Sequence, residues 1–96
     1  MDQLDAMKLF VRVAELESFT RCAEQLGIPK ATLSAAIRRL EERMGTRLLL
    51  RTTRRVQLTT DGQLCYARCR ELLADMEEFD GLFRQGGQIS GQLRVD

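Results

Sequence analysis

Two amphipathic stretches that meet at Gly27 and Pro29 constrain the fold of this chain more than any other feature. Ser18 is a suitable N-cap for a short helix, and Gly27 is suited to end it in the left-handed conformation. Pro29 fits the first turn of a second helix, where a backbone donor is not needed. The residues predicted to face inward are Cys22, Ala23 and Leu26 in the first helix and, before a stop at Gly45, Leu33, Ile37, Leu40 and Met44 in the second. These elements indicate a helix-turn-helix.

The flanking segments predict a small winged domain around this motif. Asp2 can cap a first helix that ends near residues 15–17, and its apolar stripe is formed by Leu4, Met7, Phe10, Val11 and Ala14. After Gly45, the segment RLLLRTTRRVQLTT is typical of a two-stranded hairpin with a basic tip. Because an isolated hairpin is only marginally stable, we expect it to pack on the helices as a wing.

A long helix with an apolar seam is predicted over residues 60–85. Thr60 and Gln63 fit a capping box at its start. Alternating spacings of four and three residues over nearly three heptads define a seam formed by Cys65, Cys69, Leu72, Met76, Phe79 and Phe83. A small winged domain cannot cover a seam of this length, so the simplest partner is the same helix of a second copy. Packing within the chain is the alternative.

The predicted fold class is therefore mainly α: a winged helix-turn-helix, with a three-helix core and a β-hairpin wing, followed by a long dimerisation linker helix. We assign residues 1–59 to the winged domain, 60–85 to the linker helix and 86–96 to a hinge and the start of a further domain. The hinge opens with two glycines that break the helix. We expect the chain to be a segment of a longer protein.

Composition argues against several classes of protein. No apolar run approaches the roughly 18 residues of a membrane span, and the start MDQLDAMK lacks the basic and apolar regions of a signal peptide, so a cytoplasmic protein is expected. Three cysteines without a histidine argue against a zinc site and a disulfide framework. We interpret the thiols as reduced small hydrophobes, with a redox switch at Cys65 and Cys69 as the alternative. No cofactor or metal is expected, and an enzyme is disfavoured.

Basic charge is concentrated in one short region. The whole chain carries a net charge of +1, yet residues 30–55 contain eight basic and two acidic residues. Such a concentration is typical of a nucleic-acid footprint. The acidic pair, Glu41 and Glu42, lies late in the second motif helix, where we expect it to pair with neighbouring arginines.

The outer side of that helix suggests how DNA is bound. Ala31, Ala35, Arg38 and Glu42 lie opposite the apolar stripe. The two alanines remove bulk, so that the backbone can approach base edges in the major groove. Hydrogen bonds to phosphates or bases are predicted from Lys30, Thr32 and Ser34, with Arg38 reaching the DNA backbone. On the wing, Arg54 and Arg55 at the tip and Arg51 below it suit the minor groove. A protein-interaction module that ignores DNA is the rival interpretation.

The sequence resembles the N-terminal DNA-binding domain of LysR-type bacterial transcriptional regulators. The resemblance covers essentially the whole chain and is carried by SFT…A…LG, LS…I..LE, G..L..R and LT..G, in this order and spacing. It implies a homodimer that binds an interrupted palindrome in double-stranded promoter DNA, in the bacterial cytoplasm at the nucleoid. It also implies an effector-binding domain beyond this chain, a small-molecule effector bound only there, and a tetramer of the full-length protein.

The resemblance also assigns roles to individual positions. The first turn, from Pro29 to Thr32, falls where the family contacts bases and backbone, Ser34 where a hydroxyl meets a phosphate, and Arg54 where a wing arginine enters the minor groove. The family often has Ser-Gln in place of Pro29-Lys30, and Arg or Lys in place of Ala35. Because Ala35 cannot make a bidentate contact with guanine, we expect Lys30 to take over base reading.

Overall fold

The computed structural model of the chain describes residues 2–52 and 55–84. Four helices and one hairpin follow one another as α1 (Gln3–Leu16), α2 (Phe19–Leu26), α3 (Lys30–Met44), β1 (Leu49–Arg51), β2 (Val56–Leu58) and α4 (Thr60–Arg84). The predicted winged helix-turn-helix with a long following helix is confirmed. The predicted bounds at Gln85 and over residues 86–96 lie outside the described residues.

Local capping sets the ends of the first three helices. The Asp2 carboxylate accepts a hydrogen bond from the Asp5 amide at 2.9 Å, and Ser18 Oγ accepts one from the Arg21 amide at 3.1 Å. Gly27 and Gly45 end α2 and α3 in the left-handed conformation, as predicted. Pro29 is the N-cap of α3 rather than a residue of its first turn, and it provides no side-chain cap.

The start of α4 differs from the predicted capping box. Thr59, not Thr60, caps the helix, because Thr59 Oγ1 accepts a hydrogen bond from the Gly62 amide at 2.8 Å. The Thr59 carbonyl also accepts from the Gln63 amide at 2.9 Å. Gln63 follows Thr59 by four residues rather than three, so the cap that forms does not have the spacing of the predicted capping box.

The core lies between α1, α2, α3 and the base of the wing. Its fully buried side chains are Phe10, Val13, Cys22, Leu33 and Leu48. Two residues predicted to face inward do not: Leu26 is 42% exposed and Met44 is 41% exposed. Each is the last residue of its helix, beside the glycine where the chain turns away, so the apolar stripe continues past the end of the core.

The wing is an antiparallel pair in which Leu49 lies opposite Leu58 and Arg51 opposite Val56. Backbone amides in and next to the wing donate hydrogen bonds that attach it to the helices. The Val56 amide donates to the carbonyl of Glu17 at 3.1 Å, and a Glu41 carboxylate oxygen accepts from the amides of Leu48 at 2.8 Å and Leu49 at 3.1 Å. The wing is therefore positioned by both α1 and α3.

Candidate nucleic-acid interface

The residues predicted to lie on the outer side of α3 are exposed in the structure, apart from Ser34, which is half-buried. Leu33, Ile37 and Leu40 are buried, whereas the opposite side of the helix is exposed. The exposed residues are Lys30, Ala31, Thr32, Ala35, Arg38 and Glu42, with Pro29 exposed just before them and Ser34 half-buried. Small side chains in the first half and Arg38 in the second half leave the N-terminal turns open to close approach.

Arg51 connects the wing to α3. Its guanidinium carbon lies 3.7 Å from the centroid of the Phe19 ring, and its Nη2 donates a hydrogen bond to Ser34 Oγ at 3.0 Å. The sequence pointed to Arg51 and Ser34 as separate DNA contacts and missed Phe19 entirely. Stacking and hydrogen bonding together hold this guanidinium between α2 and α3.

A groove of about 400 Å³ lies where α3 meets the wing. Its charged lining consists of three arginines, Arg38, Arg47 and Arg51, and one carboxylate, Glu41. The Glu41 carboxylate is already bound by the two β1 amides and lies 3.6 Å from the Arg47 guanidinium. The predicted pairing of Glu41 with an arginine is thus confirmed, and the groove retains a positive excess that suits an anionic partner.

The outer end of the wing is described in part. Arg55 is exposed, and its Nη1 lies 3.4 Å from the carboxylate of Glu17, the residue that ends α1 in the left-handed conformation. The turn is closed by Thr52 Oγ1, which donates to the Arg55 carbonyl at 2.7 Å. Arg54, the other predicted tip residue, lies outside the described residues.

The predicted seam of α4 divides into two parts. Cys69 is only 3% exposed and belongs to the core of the winged domain, and Cys65 packs partly against that core. Assigning Cys69 to an intermolecular seam is therefore wrong, because α1 and the wing already cover the first turns of this helix. Further along, Leu72, Met76, Phe79 and Leu82 are exposed, as is Leu64 near the start of α4. The side chain of Phe83 lies outside the described part of the chain.

The cysteine environments bear on the redox alternative. Burial raises the pKa of Cys69 to about 12, helped by the neighbouring Cys65, whose Sγ lies 3.8 Å away. Burial also raises the pKa values of Cys65 and Cys22. Because the thiolate is the reactive form, these surroundings disfavour redox chemistry at neutral pH.

Residues 4–63 match the family described as bacterial regulatory helix-turn-helix protein, lysR family. The chain belongs to this family. A solved LysR-type neighbour, the DNA-binding domain of BenM in a complex with catB site 1 DNA, superimposes with a TM-score of 0.83 at 33% sequence identity, covering 88% of this chain and 93% of that one. The fold is thus the winged helix-turn-helix of LysR-type DNA-binding domains.

Curated relatives agree with this membership. The chain is 50% identical over its full length to YhjC, an uncharacterised HTH-type transcriptional regulator of Escherichia coli (strain K12). It is 45% identical, again over its full length, to an HTH-type transcriptional repressor of Pseudomonas aeruginosa (strain UCBPP-PA14). It spans 32% and 31% of the lengths of these two relatives. Both relatives are named as transcriptional regulators. No helix in the described part of the chain is long and apolar enough to cross a membrane.

Proposed function

We propose that this chain binds specific double-stranded DNA as a homodimer, with α3 in the major groove and the wing in the minor groove of an interrupted palindromic promoter site. The observation that supports this most directly is the exposed side of α3, where small and basic side chains adjoin a groove lined by arginines. The family match and the DNA-bound BenM neighbour support DNA as the partner of this surface.

In the major groove, the first turns of α3 read the bases. Ala31 and Ala35 allow close approach, and their methyl groups can meet a thymine methyl. Lys30 and Thr32 supply donors to base edges, while Ser34 and Arg38 contact the phosphate backbone. Two such helices, related by a two-fold axis, would read two half-sites.

On the wing, Arg54 and Arg55 enter the minor groove, where the negative potential of A·T-rich DNA is strongest. The Arg55–Glu17 pair is exposed and weak enough to exchange for a phosphate or a base edge. Arg51 lies closer to α3, where its charge contributes to the backbone-binding field while its stacking positions the wing.

The dimer forms through the second half of α4. Leu72, Met76 and Phe79 recur at heptad spacing and remain exposed in a single chain. An exposed apolar stripe of this kind is buried when two copies associate. In the full-length protein, a further domain would bind a small-molecule effector and bring two dimers together as a tetramer, acting on promoters in the bacterial cytoplasm at the nucleoid.

The test is selection of genomic DNA fragments by this chain at a low and a high salt concentration, followed by sequencing. Specific recognition by a dimer predicts a shared interrupted palindrome that persists at the higher salt. Recovery of unrelated fragments that are all lost together would show binding to backbone charge alone, because phosphate contacts carry the salt dependence. Failure to recover DNA even at low salt would favour a protein-interaction module.

A further inference from the structure

The first turn of α4 lies very close to the wing. A Cβ atom added to Gly62 would lie 2.0 Å from the carbonyl oxygen of Leu48 and 3.2 Å from Cδ2 of Leu58. The oxygen belongs to the backbone and cannot rotate away, so any larger residue in place of Gly62 would displace α4 from its position against the wing. Next to this contact, Thr46 Oγ1 donates a hydrogen bond to the Asp61 carboxylate at 2.6 Å.

One turn later, Tyr66 ties α4 to α1. Its hydroxyl donates to Glu15 Oε2 at 3.2 Å, and Arg70 Nη1 donates to the same hydroxyl at 3.5 Å. The other Glu15 oxygen pairs with Arg12 at 2.9 Å, and Arg12 also donates to Gln25 on α2. This chain of contacts links α4 through α1 to the helix that precedes the recognition helix.

Beyond this base, α4 extends away from the winged domain. All residues from 74 to 80 are exposed, and two of the three apolar residues proposed to form the dimer, Met76 and Phe79, lie on this part of the helix. From Tyr66 to Phe79 the helix rises about 20 Å, so a tilt of about 10° at the base displaces the far end by about 3.5 Å. That displacement equals about one base-pair step of DNA.

We infer that Gly62 and Tyr66 are positioning residues that fix the angle of α4 on the winged domain, and thereby set the spacing of the half-sites that the dimer reads. This inference depends on the proposed dimeric DNA binding. Gly62 sets how closely the helix approaches the wing, and the Tyr66–Glu15 contact resists a swing away from α1. Neither residue lies on the surface proposed to contact DNA.

The test uses duplexes carrying two identical half-sites, taken from the genomic selection, with spacers varied in single base-pair steps. Affinities are measured for the wild type and for the Gly62→Ala, Tyr66→Phe and Gly81→Ala variants. Gly81→Ala is the matched control, because it makes the same change in the same helix and an added Cβ there meets nothing within 4 Å. A single half-site duplex reports the intrinsic affinity of each winged domain.

We expect Gly62→Ala to move the preferred spacer by at least one base pair. Tyr66→Phe should reduce the discrimination between neighbouring spacers by about threefold, which is the effect of one exposed hydrogen bond. Gly81→Ala should retain the wild-type preference, and Tyr66→Phe should retain the single half-site affinity.

Several results would overturn the inference. The inference is wrong if Gly62→Ala folds and both Gly62→Ala and Tyr66→Phe keep the wild-type spacer preference. It is also wrong if Gly81→Ala shifts the preferred spacer as much as Gly62→Ala does. If circular dichroism shows that Gly62→Ala does not fold, Tyr66→Phe alone decides. A wild type that shows no spacer preference would instead contradict the proposed dimeric recognition itself, so the two failures are distinguishable.

Discussion

The central carbon of the Arg51 guanidinium lies 3.7 Å from the centroid of the Phe19 ring, and the same group donates a hydrogen bond to Ser34 on α3. Phe19 begins α2, Ser34 belongs to α3 and Arg51 ends β1. One side chain therefore connects both helices of the helix-turn-helix with the wing. This connection fixes the position of the wing relative to α3, the two elements proposed to contact DNA, in the free chain.

Arg51→Lys should weaken DNA binding by about tenfold, although it keeps the positive charge. An ammonium group cannot both stack on Phe19 and donate to Ser34 in the geometry of the planar guanidinium, so the wing loses its position. Equilibrium binding to the selected site by fluorescence anisotropy measures the loss. Arg68→Lys is the matched control, because Arg68 is an exposed arginine on α4 that pairs with Glu71. Equal affinities of Arg51→Lys and the wild type would contradict this role.

Replacing Lys30 or Arg38 by alanine should change DNA binding in two different ways. Lys30→Ala removes a proposed base contact, so relaxed preference at one base pair of each half-site is expected, at a cost of about 1–3 kcal/mol for that base. Arg38→Ala removes a proposed phosphate contact, so affinity should fall uniformly across sequences and the salt slope should decrease by about 1. Binding to a panel of single-base variants at several salt concentrations separates the two. Interchanged behaviour would reverse the assigned roles.

The contrast between local and distant contacts explains how far the sequence alone could predict this molecule. Helix ends at Ser18, Gly27 and Gly45 depend on residues within a few positions, and all three were predictable. The Arg51–Phe19 contact joins residues 32 positions apart and leaves no periodic signal, so it could only be found in the structure. Cys69 was misassigned because heptad spacing is the same whether the stripe packs on its own domain or on a second copy.

Glu41 should stabilise the folded chain rather than contact DNA. Its carboxylate accepts hydrogen bonds from the Leu48 and Leu49 amides, so Glu41→Ala leaves two largely buried donors without that acceptor. A loss of about 2 kcal/mol in the free energy of unfolding is expected, measured by urea denaturation. Glu42→Ala makes the same change at the exposed neighbouring residue and should alter stability by less than about 0.5 kcal/mol. Similar losses in both variants would refute the assignment.

Phe79→Asp should convert the proposed dimer into a monomer. Phe79 is 58% exposed in the single chain, and a carboxylate there would have to be buried without a partner charge when two copies associate. Light scattering should give the mass of one chain for this variant and of two chains for the wild type. Ala74→Asp introduces the same charge on the other side of α4 and should remain dimeric. An unchanged mass for Phe79→Asp would show that the second half of α4 is not the interface.

Ionisation of the Cys69 thiol should lower the free energy of unfolding at high pH. Its pKa is raised from the ordinary 9.0 to about 12 in the folded chain, so the unfolded chain loses the thiol proton first as the pH increases. Below pH 9 the thiol is protonated in both states and the contribution is constant, whereas between pH 9 and about 12 it declines by at most about 1.4 kcal/mol per pH unit. Other groups titrate in the same range, so the quantity to measure is the difference in urea-unfolding free energy between the wild type and Cys69→Ala, from pH 7.5 to 10.5. That difference should be constant up to about pH 9 and then shift in favour of the alanine variant. If the difference stays constant up to pH 10.5, the thiol ionises as readily in the folded chain as in the unfolded one.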